Sequence, residues 1–258
     1  MTFAVSPESY DRFMGRYSGP LAAAFASFGG VEPGARVVDV GCGPGALTGE
    51  LVARVGAGNV SAADPSEAFV AAVHARHPDV DARVAAAEAL PFDDATFDAA
   101  LAQLVVHFMS EPVAGIVEMS RVTRPGGVVA ACVWDFENDR APISTFWRAV
   151  RDLELDAPGE AHLAGARAGH LVGLFTAAGL ADVGGGVVET RVDHTGFDEW
   201  WEPFTLGVGP AGAFAATLDT EVLEAVRARC EELVPPPPFA ITAAAWAARG
   251  RVSPSATR

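Results

Sequence analysis

The chain has 258 residues, half of them hydrophobic, which suits one large α/β domain or a domain with a cap. Its formal net charge is −15 and all 18 basic residues are arginine, which excludes a P-loop lysine, a pyridoxal Schiff base and any lysine general base; with no basic stripe to meet a phosphate backbone, a small molecule rather than nucleic acid is the expected partner. No apolar run reaches the roughly 18–20 residues of a membrane span, Met1 to Tyr10 carries no basic-then-apolar leader, and Cys42, Cys132 and Cys230 are too scattered for a disulfide framework, so a cytoplasmic protein without membrane insertion is expected.

The first strand pattern, Arg36–Val40, is an apolar run carrying one acid, Asp39. It breaks into a glycine loop at Gly41, Gly43 and Gly45, and a helical pattern, Gly45–Val55, follows at once. Glycines in such a turn tolerate positive φ and let a ligand approach the backbone closely. By spacing, Gly41-x-Gly43-x-x-Ala46 also satisfies the dinucleotide fingerprint, so the glycines leave an NAD-dependent oxidoreductase open. Asp39 stands near the place a pyrophosphate would occupy. An acid there disfavours a polyanion and favours a ligand with cationic groups, such as the ammonium and sulfonium of S-adenosylmethionine.

The next strand pattern, Asn59–Asp64, ends on an acid 25 residues after Asp39, a distance at which one carboxylate commonly receives both hydroxyls of a ribose. Pro65, Ser66 and Glu67 read as a helix start for Ser66–Arg76. Asp81–Ala86, Phe97–Gln103 and Val128–Trp134 follow as strands, with a helix at Val113–Val122 and a turn at Arg124–Gly127. Strands alternating with helices predict a doubly wound, mostly parallel α/β sheet. Beyond Trp134 the alternation lapses. Helices are expected around Thr145–Leu155, at Gly169–Ala178, Phe197–Gly207 and Asp219–Leu233, and strands at Asp182–Val192 and Phe239–Ala248. The last strand follows an extended loop at Pro235–Pro238, and Ser253 to Arg258 has tail composition.

Side chains able to do chemistry are few. His74 and His77 lie three apart on one helix without a further ligand cluster, so no metal site is expected. His107 follows the fourth strand on the edge where ligands bind, and reads either as a general base towards an acceptor or as a packing histidine. Cys42 has no neighbouring base and reads as incidental to its loop. Phe197, Trp200, Trp201 and Phe204 form one helical stripe, read as core packing with a share in lining an acceptor pocket.

The ordered set VVDVGCGPG, ADPS, AEALPF, FDAALAQ and RVTRPGG, over roughly residues 35–134, resembles the class I S-adenosylmethionine-dependent methyltransferases. Within them it is similar to the group related to quinone-biosynthesis methyltransferases. Tyr10-Asp-Arg-Phe-Met-Gly-Arg-Tyr17 resembles that group's lead-in helix. The resemblance implies a Rossmann-like, seven-stranded methyltransferase fold with helical lid elements. It divides the chain into an N-terminal lid (1–34), a cofactor-binding core (35–134), a lid insertion with the last strands (135–250) and a tail (251–258). It also implies that Asp39 and Gly41 of the Gly41–Gly43 loop hold the methionine end of S-adenosylmethionine, that Asp64 takes the ribose hydroxyls, and that Pro65 lies against the adenine. Gln103 would flank the methionine moiety, and Arg16 would pair with its carboxylate. Many relatives carry an acid where this chain has Ala86, so adenine recognition is expected to rest on the Ala87 backbone or on Glu88. A third reading is a non-catalytic relative that binds the cofactor or a partner.

Overall fold

In the computed structural model the chain is described over residues 6–157 and 159–253; the first five residues of the lead-in, Pro158, and residues 254–258 of the expected tail lie outside that range. It enters through α1 (Pro7–Tyr10), a π-helical turn (Asp11–Gly15) and α2 (Arg16–Phe28). The core follows as β1 (Val37–Val40), α3 (Ala46–Val55), β2 (Val60–Asp64), α4 (Glu67–Arg76), β3 (Asp81–Val84), β4 (Phe97–Gln103), α5 (Pro112–Val122) and β5 (Thr123–Trp134). The remainder is α6 (Ser144–Asp152), α7 (His170–Ala177), β6 (Ala181–His194), α8 (Phe197–Trp201), α9 (Gly209–Ala215), α10 (Thr220–Leu233) and β7 (Phe239–Arg251).

The seven strands form one sheet in the order β3-β2-β1-β4-β5-β7-β6. The first five pair in parallel, and β7 runs antiparallel between β5 and β6. Helices cover both faces of β1 and β4, so these strands are Val- and Ala-rich without alternation, and Val37, Val38, Val40, Ala100, Leu101 and Ala102 are fully buried. The chain moves outward from β1 to β3, then returns to the other side of β1 as β4. That reversal opens a crevice at the carboxyl ends of β1 and β4, where open α/β sheets bind ligands.

Two local expectations are corrected. Arg124–Gly127 is not a turn before the fifth strand but its opening half, because Gly126 (φ +77°) donates to the Val252 carbonyl and Gly127 accepts from the Val252 amide. A Cβ at Gly127 would stand 2.7 Å from the Asp98 carbonyl, so only glycine lets the strands close here. The single helix expected over Phe197–Gly207 is α8 followed by a 3-10 turn (Glu202–Leu206), since Pro203 has no N–H to continue an α-helical ladder. The aromatic stripe on this stretch is buried, with Phe204 stacked on Phe146 at 5.0 Å and edge-on to Phe13 at 5.2 Å. Among the described residues no helix is long and apolar enough to cross a membrane.

Candidate functional site

The loop after β1 is held open by its backbone. Gly41 and Cys42 both donate to the Ala63 carbonyl, at 2.7 and 3.1 Å, and Gly41, Gly43 and Gly45 all adopt positive φ. At Gly41 a Cβ would overlap the Val105 methyls at 2.5 Å, so two independent constraints demand glycine. Gly43 donates its N–H to Asp64 Oδ2 at 2.9 Å, and Ser66 donates to Asp64 Oδ1 at 2.8 Å. These bonds aim the Asp64 carboxylate along the crevice while each oxygen keeps a lone pair for another donor. Burial pushes the Asp64 pKa up and the two amides pull against it.

Gly41, Gly43, Asp64, Pro65, Glu88 and Gln103 together line a cleft of about 250 Å³, and Ala86 and Ala87 contribute to its wall. The cleft therefore unites seven of the residues selected from sequence. Glu88 Oε1 accepts from the Ser110 and Glu111 amides at 2.9 and 3.3 Å, which fixes that carboxylate beside Ala86. Gln103 donates from Nε2 to the Ser18 carbonyl at 3.0 Å, whereas its Oε1 is buried without a partner among the described residues.

Three selected residues lie elsewhere. Asp39 is buried beneath the glycine loop, where Oδ2 accepts from Thr48 Oγ1 at 2.7 Å and Oδ1 has no partner among the described residues. Burial, aided by the charge of Asp64, pushes its carboxyl up to about 7. Arg16 does not reach the cleft. Its guanidinium bonds the Glu199 carboxylate at 2.7 Å and the Glu199 carbonyl at 3.0 Å, and its side chain lines a separate small hollow with Trp200 and Phe204. The acid on α8, at a sequence separation that periodicity does not read, takes the cation assigned to a ligand carboxylate. His107 sits on a 3-10 turn (Val106–Phe108), buried against Phe108 and Phe136, and burial holds its imidazole down at about 3.

Tyr10 was not singled out by sequence. It lies edge-on to Phe69 at 5.3 Å and lines both the cleft and a second, apolar cavity. The second cavity shares Tyr10, Leu104 and Phe108 with the cleft and is completed by Phe13, His107 and Trp134. Its volume is about 30 Å³, the room of a water molecule, so a larger guest must part its walls. Arg76 fastens this region from outside, donating to the Pro44 carbonyl at 2.7 Å and pairing with Asp11 of the π-helical turn. The aromatic stripe is not in the wall of this cavity; it seats Phe13, which is. Cys42 is buried, and burial drives its thiol well above the ordinary range, as befits a loop residue without reactivity.

A family profile described as a methyltransferase domain matches residues 38–131. The chain is 33% identical over 178 residues, 66% of its length and 68% of the relative's, to a protein of Mycolicibacterium smegmatis described as a "probable S-adenosylmethionine-dependent methyltransferase". It is 40% identical over 112 residues to a demethylmenaquinone methyltransferase of Mycobacterium sp. strain KMS; that match takes in 43% of this chain and spans 47%, about half, of the relative. Among solved structures, YcgJ of Bacillus subtilis superposes with a TM-score of 0.58 at 16% identity, covering 91% of this chain and 99% of that one, a likeness of fold.

Proposed function

The chain belongs to the class I S-adenosylmethionine-dependent methyltransferases, and on that premise we propose that it transfers the methyl group of S-adenosylmethionine to a small-molecule acceptor. The observation that carries the reading is the Asp64 carboxylate, held by the Gly43 and Ser66 amides in a cleft beside a glycine loop whose Gly41 has no room for a Cβ.

The residues present suit that cofactor. Asp64 offers two oriented oxygens to a pair of ribose hydroxyls. Pro65, Phe69 and Met109 supply apolar surface for an adenine, and Glu88, two residues after Ala86, offers a carboxylate for its amino group. Asp39 Oδ1 and Gln103 Oε1, buried without partners among the described residues, suit the ammonium of the methionine moiety. With Arg16 committed to Glu199, the cofactor carboxylate is left to backbone donors of the loop or to a rearranged Arg16.

When bound, S-adenosylmethionine supplies a methyl group on a cationic sulfur, and the acceptor's lone pair takes the methyl carbon as the carbon–sulfur electrons pass to sulfur. The protein's part is alignment and exclusion of water. Tyr10, Leu104 and Phe108, common to the cleft and the apolar cavity, form the passage along which acceptor and methyl group meet. His107, neutral at physiological pH, lines the acceptor side and offers a ring nitrogen to an acceptor hydroxyl or amine.

Calorimetry with S-adenosylhomocysteine and with NADH tests the reading. S-adenosylhomocysteine should bind and NADH should not, and Asp64→Ala should weaken the former by about 1.5–3 kcal/mol, the loss of a charged hydrogen-bond partner. Binding of NADH alone would restore the oxidoreductase reading. Binding of S-adenosylhomocysteine without methyl transfer to any acceptor in a broad screen would favour the non-catalytic relative.

A further inference from the structure

Next to the apolar cavity lies a third cavity of about 180 Å³, half polar where the second is almost wholly apolar, with Asp139, Ser144 and Arg151 in its wall. The two share two residues, Phe136 and Glu160. Glu160 is 4% exposed, and its Oε2 accepts from the Trp147 indole at 2.7 Å. A carboxyl so deeply buried is costly to keep unless something engages it. In the wall of the apolar cavity His107 Nδ1 is buried without a partner among the described residues. Cleft, apolar cavity and polar cavity thus form a row, joined first by Tyr10, Leu104 and Phe108 and then by Phe136 and Glu160.

Resting on the methyl-transfer reading, we propose that the polar cavity is the acceptor's entrance and that Glu160 selects the acceptor. The substrate class is a compact aromatic or alicyclic molecule that carries a hydrogen-bond donor, an N–H or a hydroxyl, remote from the atom to be methylated. Its apolar body passes Phe136 and rests towards Leu104 and Phe108, while its donor remains on Glu160. The Trp147 indole fixes one carboxylate oxygen and leaves the other to the guest. Burial raises the Glu160 carboxyl to about 7, so a bound donor stabilises the charged form that the site otherwise disfavours.

Three flat molecules of nearly equal size test the assignment without cofactor or turnover: indole, which donates, indene, which neither donates nor accepts, and benzofuran, which only accepts. Binding to the full chain is followed by calorimetry or ligand-observed NMR. Wild-type protein should prefer indole over both by about ten-fold or more. In Glu160→Gln the Trp147 N–H holds the amide oxygen and turns the amide N–H group towards the guest. The indole preference should then vanish and benzofuran should gain, a reversal that a merely structural Glu160 would not produce. Glu160→Leu should bind indole and indene equally. Affinity for S-adenosylhomocysteine, measured on the same samples, reports folding and the cofactor reading separately. An indole preference unchanged in both variants, or wild-type protein that binds none of the three, overturns the role of Glu160 while leaving the cofactor reading intact.

Discussion

Gln103 and Ser18 are joined across the molecule: the Gln103 amide, at the end of β4, donates to the carbonyl of Ser18 in α2 at 3.0 Å, and both residues are buried. The bond ties the N-terminal helix to the floor of the cleft, so the segment over the site and the strand beneath it share one fastening. Gln103→Leu removes it with little change in volume. The expected cost is about 1 kcal/mol in unfolding free energy by urea titration. Native-state proteolysis should cut within α1 and α2 before the core. Equal protease resistance of variant and wild type would mean that the helix is held by its apolar face alone.

Gly41 carries a sharper demand. Alanine there meets both a positive φ of +71° and the Val105 methyls at 2.5 Å. Gly41→Ala should destabilise the fold by roughly 1–3 kcal/mol and weaken S-adenosylhomocysteine binding at the same time. Adding Val105→Ala relieves the overlap but not the dihedral, so the double variant should recover part of the stability. Full recovery would show that the backbone strain counts for little.

Asp39 gives a pH dependence whose sign is fixed by its raised pKa. The ordinary value is 3.8 and the folded value about 7, so between these the folded state binds more protons than the unfolded one. This contribution to stability is fully present below pH 3.8 and is lost as pH rises towards 7. An ammonium-bearing ligand that needs the carboxylate must expel that proton. Affinity for S-adenosylhomocysteine should therefore rise with pH up to about 7 and level off above it, and calorimetry in buffers of different ionisation enthalpy should register proton release. Asp39→Asn should flatten both curves. Glu160 also titrates at about 7, so the difference between wild type and the Asn variant is the informative quantity.

His107, held at about 3 by burial, is neutral throughout the physiological range. It is a good hydrogen-bond acceptor there but a weak proton sink, so no limb of a rate profile between pH 5 and 9 should belong to it. His107→Ala should lower turnover of the true acceptor by about ten-fold or more and leave cofactor affinity nearly unchanged. Turnover equal to wild type would return the residue to packing alone.

The cleft was legible because each loop after a strand carries its polar groups within a few residues of that strand's end. Gly41, Gly43, Asp64, Pro65, Glu88 and Gln103 are fixed by strand ends, and the strand order then brings them together. The apolar cavity was not legible in the same way. Tyr10, Phe13, Trp134 and Glu160 meet only through packing of the N-terminal helix and the segment after β5, where no periodic pattern sets the distances. Arg16 lies away from the cleft for a related reason. A long cation near a site in sequence goes to whichever acid the tertiary fold presents, and α8 presents Glu199. The glycine pair after Thr123 marked a turn in sequence but a strand irregularity in the fold, since glycine permits both.

The π-helical turn at Asp11–Gly15 has a consequence for which side chain the N-terminal segment presents. It holds one residue more than an α-helical turn, with the Arg16 amide reaching back to the Asp11 carbonyl, and a Cβ at Gly15 would stand 2.8 Å from Asp11 Oδ1. Removing a single residue there would restore ordinary helical winding and rotate everything before it by about 100°. Tyr10 would leave the wall shared by the cleft and the apolar cavity, and a different side chain would take its place. Whoever grafts an N-terminal segment between such proteins should count the residues from Tyr10 to Tyr17 before comparing their identities, because the spacing decides which side chain is presented.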